Sequence, residues 1–170
     1  WRKMQRFEAQ AGREFDAVVA VSEHDRSIFE REYGWRHVHT IDTGVDTNYF
    51  HANGYKEQAN RVVFLGSLDW LPNEDGVQYF ARDVWPIVRR RHPDATFQIV
   101  GRNPSREIQR LHDGAGVDVV GTVPDVRPYL GQAAVVVVPL LVGGGTRIKI
   151  VEAMAMGKAI VSTSIGAEGL

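Results

Sequence analysis

The feature that most constrains the fold is a regular recurrence of short apolar runs, rich in valine and isoleucine, in the second half of the chain. These runs are residues 61–65, 96–100, 117–120, 134–138 and 159–161. Helical patterns lie between most of them, at residues 74–91, 105–112, 126–132 and 146–156. Strands this apolar are buried on both faces, and their alternation with helices favours a parallel sheet. The sequence therefore predicts an α/β fold with a doubly wound, Rossmann-like parallel sheet over residues 61–170.

The sequence of the first 60 residues predicts two helices and two short strands, followed by a linker. A helix, a strand, a second helix, a second strand and a linker are expected at residues 1–15, 17–21, 22–33, 38–41 and 42–60. Ser22 and Asp25 resemble a capping box at the start of the second helix, and Gly34 ends it. At 170 residues the chain is long enough for one main domain with an attached segment.

Composition excludes several classes of function. The chain has 20 basic and 21 acidic residues and a net charge of -1, which gives no overall electrostatic case for binding nucleic acid or an anionic membrane. It has no cysteine, so disulfides and thiolate metal sites are excluded, and its six histidines show no metal-ligand spacing. No apolar run reaches the roughly 20 residues of a membrane span. We expect no metal and no cofactor.

Glycines follow several predicted strands and mark one edge of the sheet. They are Gly66, Gly101 and Gly121, each directly after an apolar run. In doubly wound folds a ligand binds outside the carboxyl ends of the strands, where glycine permits a close backbone approach. Strand-ending glycines also occur simply because turns need them, so this pattern alone leaves a nucleotide ligand and a structural role both open.

The sharpest local feature is residues 139–158, in which a strand leads into three glycines and then a helix. Gly143, Gly144 and Gly145 precede Thr146, Arg147 and Lys149 near the expected helix start. Free backbone N–H groups and the positive end of a helix bind anions, and two basic side chains add charge-assisted hydrogen bonds. The segment predicts a phosphate cradle. It is not a P-loop, because the glycine-lysine-serine or -threonine ending is missing.

Glu152 follows Lys149 by three positions on the same helix, so the two side chains share a face. A carboxylate can accept hydrogen bonds from both hydroxyls of a ribose, which would suit a nucleotide whose diphosphate lies close by. The alternative is an ion pair with Lys149 on the helix surface, worth under ~0.5 kcal/mol. The apolar residues around Glu152 favour the ligand interpretation.

Taken together, these motifs resemble the group 1 retaining glycosyltransferases, which have the two-domain GT-B architecture. The segments that carry the resemblance are residues 15–22, 44–50, 64–66, 99–101, 120–123, 149–157 and 160–163. The resemblance implies that residues 1–42 end an acceptor-side domain, that 43–60 connect the domains, and that 61–170 form a donor-binding domain that is incomplete at its C-terminus. We expect this piece alone to be inactive.

The resemblance also implies which residues bind a nucleotide diphosphate sugar. Glu152 matches the family glutamate that holds the donor ribose, and the Thr122–Val123 segment matches the one that touches the base. Backbone near the diphosphate and sugar matches Gly66, Gly101 and residues 143–146. The full set of expected donor-binding residues is Gly66, Ser67, Gly101, Arg102, Thr122, Val123, Gly143, Gly144, Gly145, Thr146, Arg147, Lys149 and Glu152. The resemblance implies that the acceptor-side residues are absent from this sequence, so the catalytic residues stay unknown.

Two departures from the family pattern are visible. Gly144 stands where a first family glutamate is usual, eight positions before Glu152, and Ser67 and Asp75 stand near the usual phosphate cations. The Pro72–Asn73 pair and residues 143–149 resemble a branch tied to exopolysaccharide synthesis, in which this variant is normal. We therefore expect Arg147 and Lys149 to neutralise the diphosphate instead.

The expected function is transfer of a hexose from a nucleotide diphosphate sugar to a saccharide or lipid-linked acceptor in polysaccharide biosynthesis. The expected location is cytoplasmic, with any contact at the inner face of the membrane made through the missing acceptor-side domain. Two alternatives stay open. A nucleotide-sugar epimerase of the same fold would need a histidine and carboxylate cluster at the cleft, and a non-catalytic nucleotide-binding module would explain Gly144.

Overall fold

The computed structural model of the protein describes residues 1–114 and 116–170. The chain divides into two compact units. The first comprises Trp1–Gly44 together with Gly169, and the second comprises Val45–Glu168 together with Leu170.

The first unit is a small βαβ arrangement. Its elements are helix α1 (Arg2–Ala11) with a 3₁₀ turn (Gly12–Glu14), strand β1 (Val18–Ala20), helix α2 (Glu23–Tyr33) and strand β2 (Val38–Thr40). The two strands are parallel, with Val18 opposite Val38. Ala20, Trp35 and Val38 are buried and form its core.

Helix α2 begins and ends as its sequence predicts. The Asp25 amide donates to Ser22 Oγ at 3.0 Å, which satisfies one of the unpaired N–H groups of the first turn. Gly34 follows the last turn with a φ of 66°, the left-handed conformation that favours glycine. The predicted cap and stop are therefore confirmed.

The second unit contains a parallel sheet with helices around it. Its strands are β3 (Arg61–Leu65), β4 (Thr96–Val100), β5 (Val117–Gly121), β6 (Val135–Val138) and β7 (Ala159–Ser162). Its helices are α3 (Leu71–Tyr79), α4 (Trp85–Arg91), α5 (Arg106–Gln109), α6 (Arg127–Gln132) and α7 (Ile148–Ala155). The strand order is β5-β4-β3-β6-β7, and every pairing is parallel. The predicted doubly wound α/β fold is confirmed.

The direction in which successive strands are added to the sheet changes between β3 and β6, although these two strands are parallel. The chain builds outward from β3 to β5, then returns to the other side of β3 and continues to β7. Such a reversal opens a crevice at the carboxyl ends of the central strands, the usual ligand position in open α/β sheets. The topology therefore predicts a ligand position beside the residues that follow the central strands, including β3, β4 and β5.

Two apolar layers hold the sheet, one on each face. Because side chains alternate along a strand, Phe64 packs with Phe97 and Trp85, whereas Val63 and Leu65 pack with the opposite cluster. That second cluster includes Ala153 and Met156, so α7 is anchored to the sheet by its apolar side. Its polar side chains are thereby held at the ligand edge.

Helix boundaries are the part of the sequence prediction that needs correction. The helix expected at residues 74–91 begins at Leu71, with Pro72 in its first turn, and a π-helical segment at Phe80–Val84 divides it. Proline suits this position because its missing N–H has no intrahelical partner there. The helix expected at 146–156 begins only at Ile148, because Arg147 has a non-helical backbone with φ -90° and ψ 65°.

Candidate functional site

A cleft of about 340 Å³ lies at the carboxyl ends of β3, β4 and β5, beside α7. Its walls are Leu65, Gly66, Ser67, Val100, Gly101, Arg102, Thr122, Val123, Val126 and Glu152. Seven of these were expected to bind a donor, namely Gly66, Ser67, Gly101, Arg102, Thr122, Val123 and Glu152. Residues from four separate elements thus converge on one site.

Glycine is required in the floor of the cleft because the backbones of β3 and β4 approach closely there. The Gly66 amide donates to the Val100 carbonyl at 3.1 Å. A Cβ on Gly101 would lie 1.8 Å from the Gly66 carbonyl oxygen, a distance at which the backbone itself must move. Glycine at position 101 is therefore needed for packing, and the same feature keeps the cleft floor free of side chains.

A network of polar side chains forms one rim. Arg102 Nε donates to Ser67 Oγ at 2.7 Å, and Ser67 in turn donates to Asp69 at 2.5 Å. Asn103 also donates to Asp69, at 2.7 Å, from a backbone with a φ of 53°. The hydrogen bonds from Ser67 and Asn103 lower the pKa of Asp69. Arg102 remains largely exposed, so its guanidinium can reach an anion at the mouth of the cleft.

The side chain of Lys149 ends beside Gly66. Its ammonium donates to Asn73 Oδ1 at 2.8 Å and sits 4.7 Å from the centroid of the Phe64 ring. A Cβ on Gly66 would lie 2.6 Å from Lys149 Nζ, so the ammonium is against the cleft floor. Among the described residues, no carboxylate oxygen lies within 4.0 Å of Lys149 Nζ, the distance limit for an ion pair. The surface ion pair with Glu152, considered from the sequence, is not formed.

Burial perturbs both titratable groups of α7 that face this edge. Burial, and secondarily the charge of Arg147, lowers the pKa of Lys149 from 10.5 to about 8, while Glu152 acts in the opposite direction. Burial also raises the pKa of Glu152, an effect that the Lys149 charge partly offsets. A cation and a carboxylate held in partly dry surroundings without a mutual ion pair are available for a polar ligand.

The glycine loop, residues 139–147, connects β6 to α7. Gly143 and Gly145 have φ values of 134° and 84°, which side-chain-bearing residues rarely adopt. Arg147 is only 4% exposed and donates to two backbone carbonyls, those of Gly144 at 2.7 Å and Ile165 at 3.0 Å. Its guanidinium therefore ties the glycine loop to the segment after β7.

The remaining expected residues are outside the walls of the cleft. These are Gly143, Gly144, Gly145, Thr146, Arg147 and Lys149. Sequence reasoning missed Asn73, which is 3% exposed and holds Lys149, although the Pro72–Asn73 pair had been noted as a branch pattern. It also missed the apolar walls Leu65, Val100 and Val126, whose only signal is their position at strand ends or a helix start.

The described residues contain neither a cluster of metal ligands nor a helix that could span a membrane. In the part of the chain that the structure describes, three or more histidine or acidic side chains never gather as a metal site would require. No helix among residues 1–114 and 116–170 has the length and apolar character needed to cross a bilayer.

Comparison with known proteins identifies the family. The model of the family "Glycosyl transferases group 1" matches residues 59–170, and the chain belongs to this family. A curated relative, described as an uncharacterized 44.6 kDa protein in the cps region of Klebsiella pneumoniae, is 28% identical over 116 residues. That match covers 64% of this chain and 30% of the relative.

Solved glycosyltransferase structures share the fold. A glycosyltransferase from Rickettsia africae ESF-5 is similar with a TM-score of 0.75 and 16% identity, over 99% of this chain and 49% of that one. A mutant of S. aureus TarM, in complex with Fondaparinux, alpha-GlcNAc-glycerol and UDP, is similar with a TM-score of 0.76 and 16% identity, over 96% and 33%. The chain thus spans less than half the length of these relatives. The resemblance to GT-B glycosyltransferases is confirmed.

Proposed function

We propose that the protein transfers a sugar from a nucleotide diphosphate sugar to a saccharide or lipid-linked acceptor, with retention of anomeric configuration, in polysaccharide biosynthesis. The observation that carries the proposal is the ammonium of Lys149. It is partly buried at the cleft floor beside Gly66 and has no carboxylate partner among the described residues. A buried charge is costly unless paired, and a diphosphate would supply the missing anion.

In this proposal the nucleotide lies along the cleft. Glu152 accepts from the ribose hydroxyls, and the Thr122–Val123 segment contacts the base against Val126. The diphosphate then lies over Gly66 and Gly101, within reach of Lys149 on one side and Arg102 on the other. Both cations can donate charge-assisted hydrogen bonds to phosphate oxygens. The assignment accounts for a carboxylate and a cation in the walls of the cleft, and for a second cation beside Gly66 at its floor.

We assign Arg147 a supporting role. Its guanidinium already donates to two carbonyls, so it adds positive potential and fixes the glycine loop in place. The backbone of Gly143, Gly144, Gly145 and Thr146 then faces the sugar end of the donor. Gly144 replaces a family glutamate, so any hydrogen bond to the sugar from this position comes from its main chain.

The leaving diphosphate is stabilised, in this proposal, by Lys149 and the positive end of α7 and not by a metal ion. Charge develops on the bridging oxygen as the sugar departs, and preorganised cations act on it without solvent reorganisation. No cofactor is assigned. The acceptor is bound by the domain to which residues 1–42 contribute, residues 43–60 connect the two domains, and residues 61–170 hold the donor.

The relatives support parts of this assignment. The S. aureus TarM structure contains UDP together with alpha-GlcNAc-glycerol, so UDP and a hexosamine glycoside bind a protein of this fold. The Klebsiella relative is from a cps region. The first supports a UDP-hexose donor and the second a polysaccharide product. We propose in addition that the reaction takes place on the cytoplasmic side of the membrane.

The test is a donor panel followed by a transfer assay. UDP, GDP, ADP and their sugars are titrated against the complete protein in thermal unfolding, where a ligand at 100 times its Kd adds ~2.7 kcal/mol. We expect one nucleotide to stabilise the protein and its sugar to be transferred or slowly hydrolysed. Residues 1–170 alone should transfer no sugar, because catalysis requires two domains closed on the donor.

A non-catalytic nucleotide-binding module is the second candidate, and Gly144 is the observation that favours it. The same assay separates the two functions. Binding of a nucleotide sugar by the complete protein without transfer or hydrolysis would establish the module and contradict the enzyme.

A further inference from the structure

Asn73 is the one buried neutral amide in the described chain that contacts the proposed phosphate cation. It is 3% exposed, and both ends of its amide are used. Its Nδ2 donates to the Ser67 carbonyl at 2.8 Å, and its Oδ1 accepts from Lys149 Nζ at 2.8 Å. The residue therefore joins the segment after β3 to the first turn of α7.

The two ends of the Asn73 amide contact two different residues near the cleft floor, Ser67 and Lys149. Ser67 and Gly66 both line the cleft, and Gly66 lies beside the ammonium. A Cβ on Gly66 would lie 2.6 Å from Lys149 Nζ and 2.9 Å from Asn73 Nδ2, so little space separates these groups. The lysine side chain, which is long and loses much rotamer freedom when fixed, is thus held at one point.

The neutrality of the amide matters as much as its position. The charged groups that face Lys149 are Arg147, from the glycine loop, and Glu152, one turn along α7. An aspartate at position 73 would place a carboxylate in contact with the ammonium, and an opposite charge at that distance raises a lysine pKa. It would also occupy the cation that a diphosphate needs.

We propose that Asn73 is a positioning residue of the donor site, which fixes the Lys149 ammonium at the end of β3 while leaving its charge uncompensated for a diphosphate. The inference depends on the proposed function, since it concerns how that site is built. Asn73 itself does not contact the donor. It acts through Lys149, and the two side chains should behave as one unit in binding.

A double-mutant cycle on the complete protein tests this coupling. UDP and UMP affinities are measured for the wild type, Asn73→Ala, Lys149→Met and the double variant. We expect each single variant to weaken UDP about tenfold while changing UMP less, and the double variant to be no weaker than Lys149→Met. Additive losses would show that Asn73 acts independently of Lys149 and overturn the inference.

Asn73→Asp provides a readout that a purely structural role would not change. The Lys149 side chain is titrated by NMR in the absence of nucleotide and assigned by comparison with Lys149→Arg. We expect the midpoint to rise by about one pH unit or more in Asn73→Asp. Asn60→Asp is the matched control, because it adds the same charge at the opposite end of β3 and should leave the midpoint unchanged.

The outcomes separate this inference from the proposed function. An unchanged Lys149 midpoint in Asn73→Asp would contradict the positioning role. Lys149→Met with undiminished UDP affinity would contradict the proposed function itself. Should Asn73→Asp fail to fold, Asn73→Ser retains a short polar side chain and enters the same cycle, with the same expectation of non-additivity.

Discussion

The ammonium of Lys149 and the amide oxygen of Asn73 lie 2.8 Å apart, although 76 positions separate them in the chain. The contact joins the first turn of α7 to the first turn of α3, which follows β3. It places a cation at the carboxyl ends of the strands, near the point at which the order of strand addition changes direction. Because the amide is neutral, the contact orients the ammonium without forming an ion pair, and burial lowers the pKa of Lys149.

Donor affinity should depend on pH through Lys149. Its pKa is lowered by burial from 10.5 to about 8, so the ammonium is charged at pH 7 and loses its proton as the pH rises through 8. We expect the affinity for a UDP-sugar to be constant below about pH 7 and to fall, by up to about tenfold per unit, above pH 8. Calorimetric titration between pH 6.5 and about 9.5 measures this dependence.

A UDP-sugar suits this measurement because its diphosphate diester keeps the same charge over the range. Lys149→Arg is the control, since arginine stays protonated and should flatten the profile. The same shift has an opposite effect on the free protein. Between about pH 8 and 10.5 the unfolded state binds more protons than the native state, so Lys149 contributes stability that increases with pH. A donor affinity that does not change between pH 7 and 9 would contradict the assignment.

Two glycines at the cleft floor should respond differently to alanine. In Gly66→Ala the new Cβ meets the side-chain ends of Lys149 at 2.6 Å and of Asn73 at 2.9 Å, and side-chain atoms can move more easily than backbone. We expect a small loss of stability and about a tenfold loss of UDP affinity. In Gly101→Ala the Cβ meets the Gly66 carbonyl at 1.8 Å, so the backbone of β3 or β4 must shift.

Overpacking of this kind costs about 1–3 kcal/mol or more, and Gly101→Ala should unfold at lower denaturant concentration than Gly66→Ala. Urea unfolding and UDP titration of both variants check the pair. Equal stability of the two variants would show that the close approach of β3 and β4 is not maintained in solution.

Glu152→Gln should weaken nucleotide binding without unfolding the protein. The isostere keeps the shape of the side chain but replaces a charged acceptor, and a hydrogen bond to a charged group contributes about 1.5–3 kcal/mol. Because the ribose is common to both ligands, UDP and UMP should lose affinity equally. The wild type should prefer UDP over its 2′-deoxy analogue, and the variant should not. A retained preference for ribose in Glu152→Gln would place the sugar elsewhere.

Arg147→Met should affect the glycine loop more than the diphosphate. Each of the two lost hydrogen bonds, from the charged guanidinium to the carbonyls of Gly144 and Ile165, contributes about 1.5–3 kcal/mol. Loss of the neighbouring positive charge should also raise the pKa of Lys149. Thermal unfolding and the Lys149 titration follow the two effects, with Arg147→Lys for comparison. A loss of affinity confined to UDP, with normal stability, would instead indicate direct phosphate contact by Arg147.

The sequence was sufficient to predict the sheet. The valine-rich runs gave strand positions within about a residue, because strands buried on both faces must be apolar throughout. The N-cap at Ser22 and the helix stop at Gly34 could be predicted equally well, since each depends only on residues a few positions apart. Membership of the glycosyltransferase family followed from the order and spacing of motifs along the chain.

The site could be predicted only in part. Strand-ending glycines, the helix face of Glu152 and the family resemblance together predicted seven residues that line the cleft. The burial of Arg147 was not predicted, because its acceptors are carbonyls 3 and 18 positions away and any residue supplies a carbonyl. The role of Asn73 was missed for a similar reason. Its partner is brought to it by the packing of α7 on the sheet, which depends on the whole core.

The most direct test of the account is the affinity of Lys149→Met for UDP and for UMP, measured by calorimetry on the complete protein at pH 7 and two salt concentrations. The account predicts that UDP loses about tenfold or more in affinity, that UMP loses less, and that the remaining UDP affinity depends less on salt. If UDP binds the variant as tightly as the wild type, Lys149 does not contact the diphosphate and the proposed donor site is wrong.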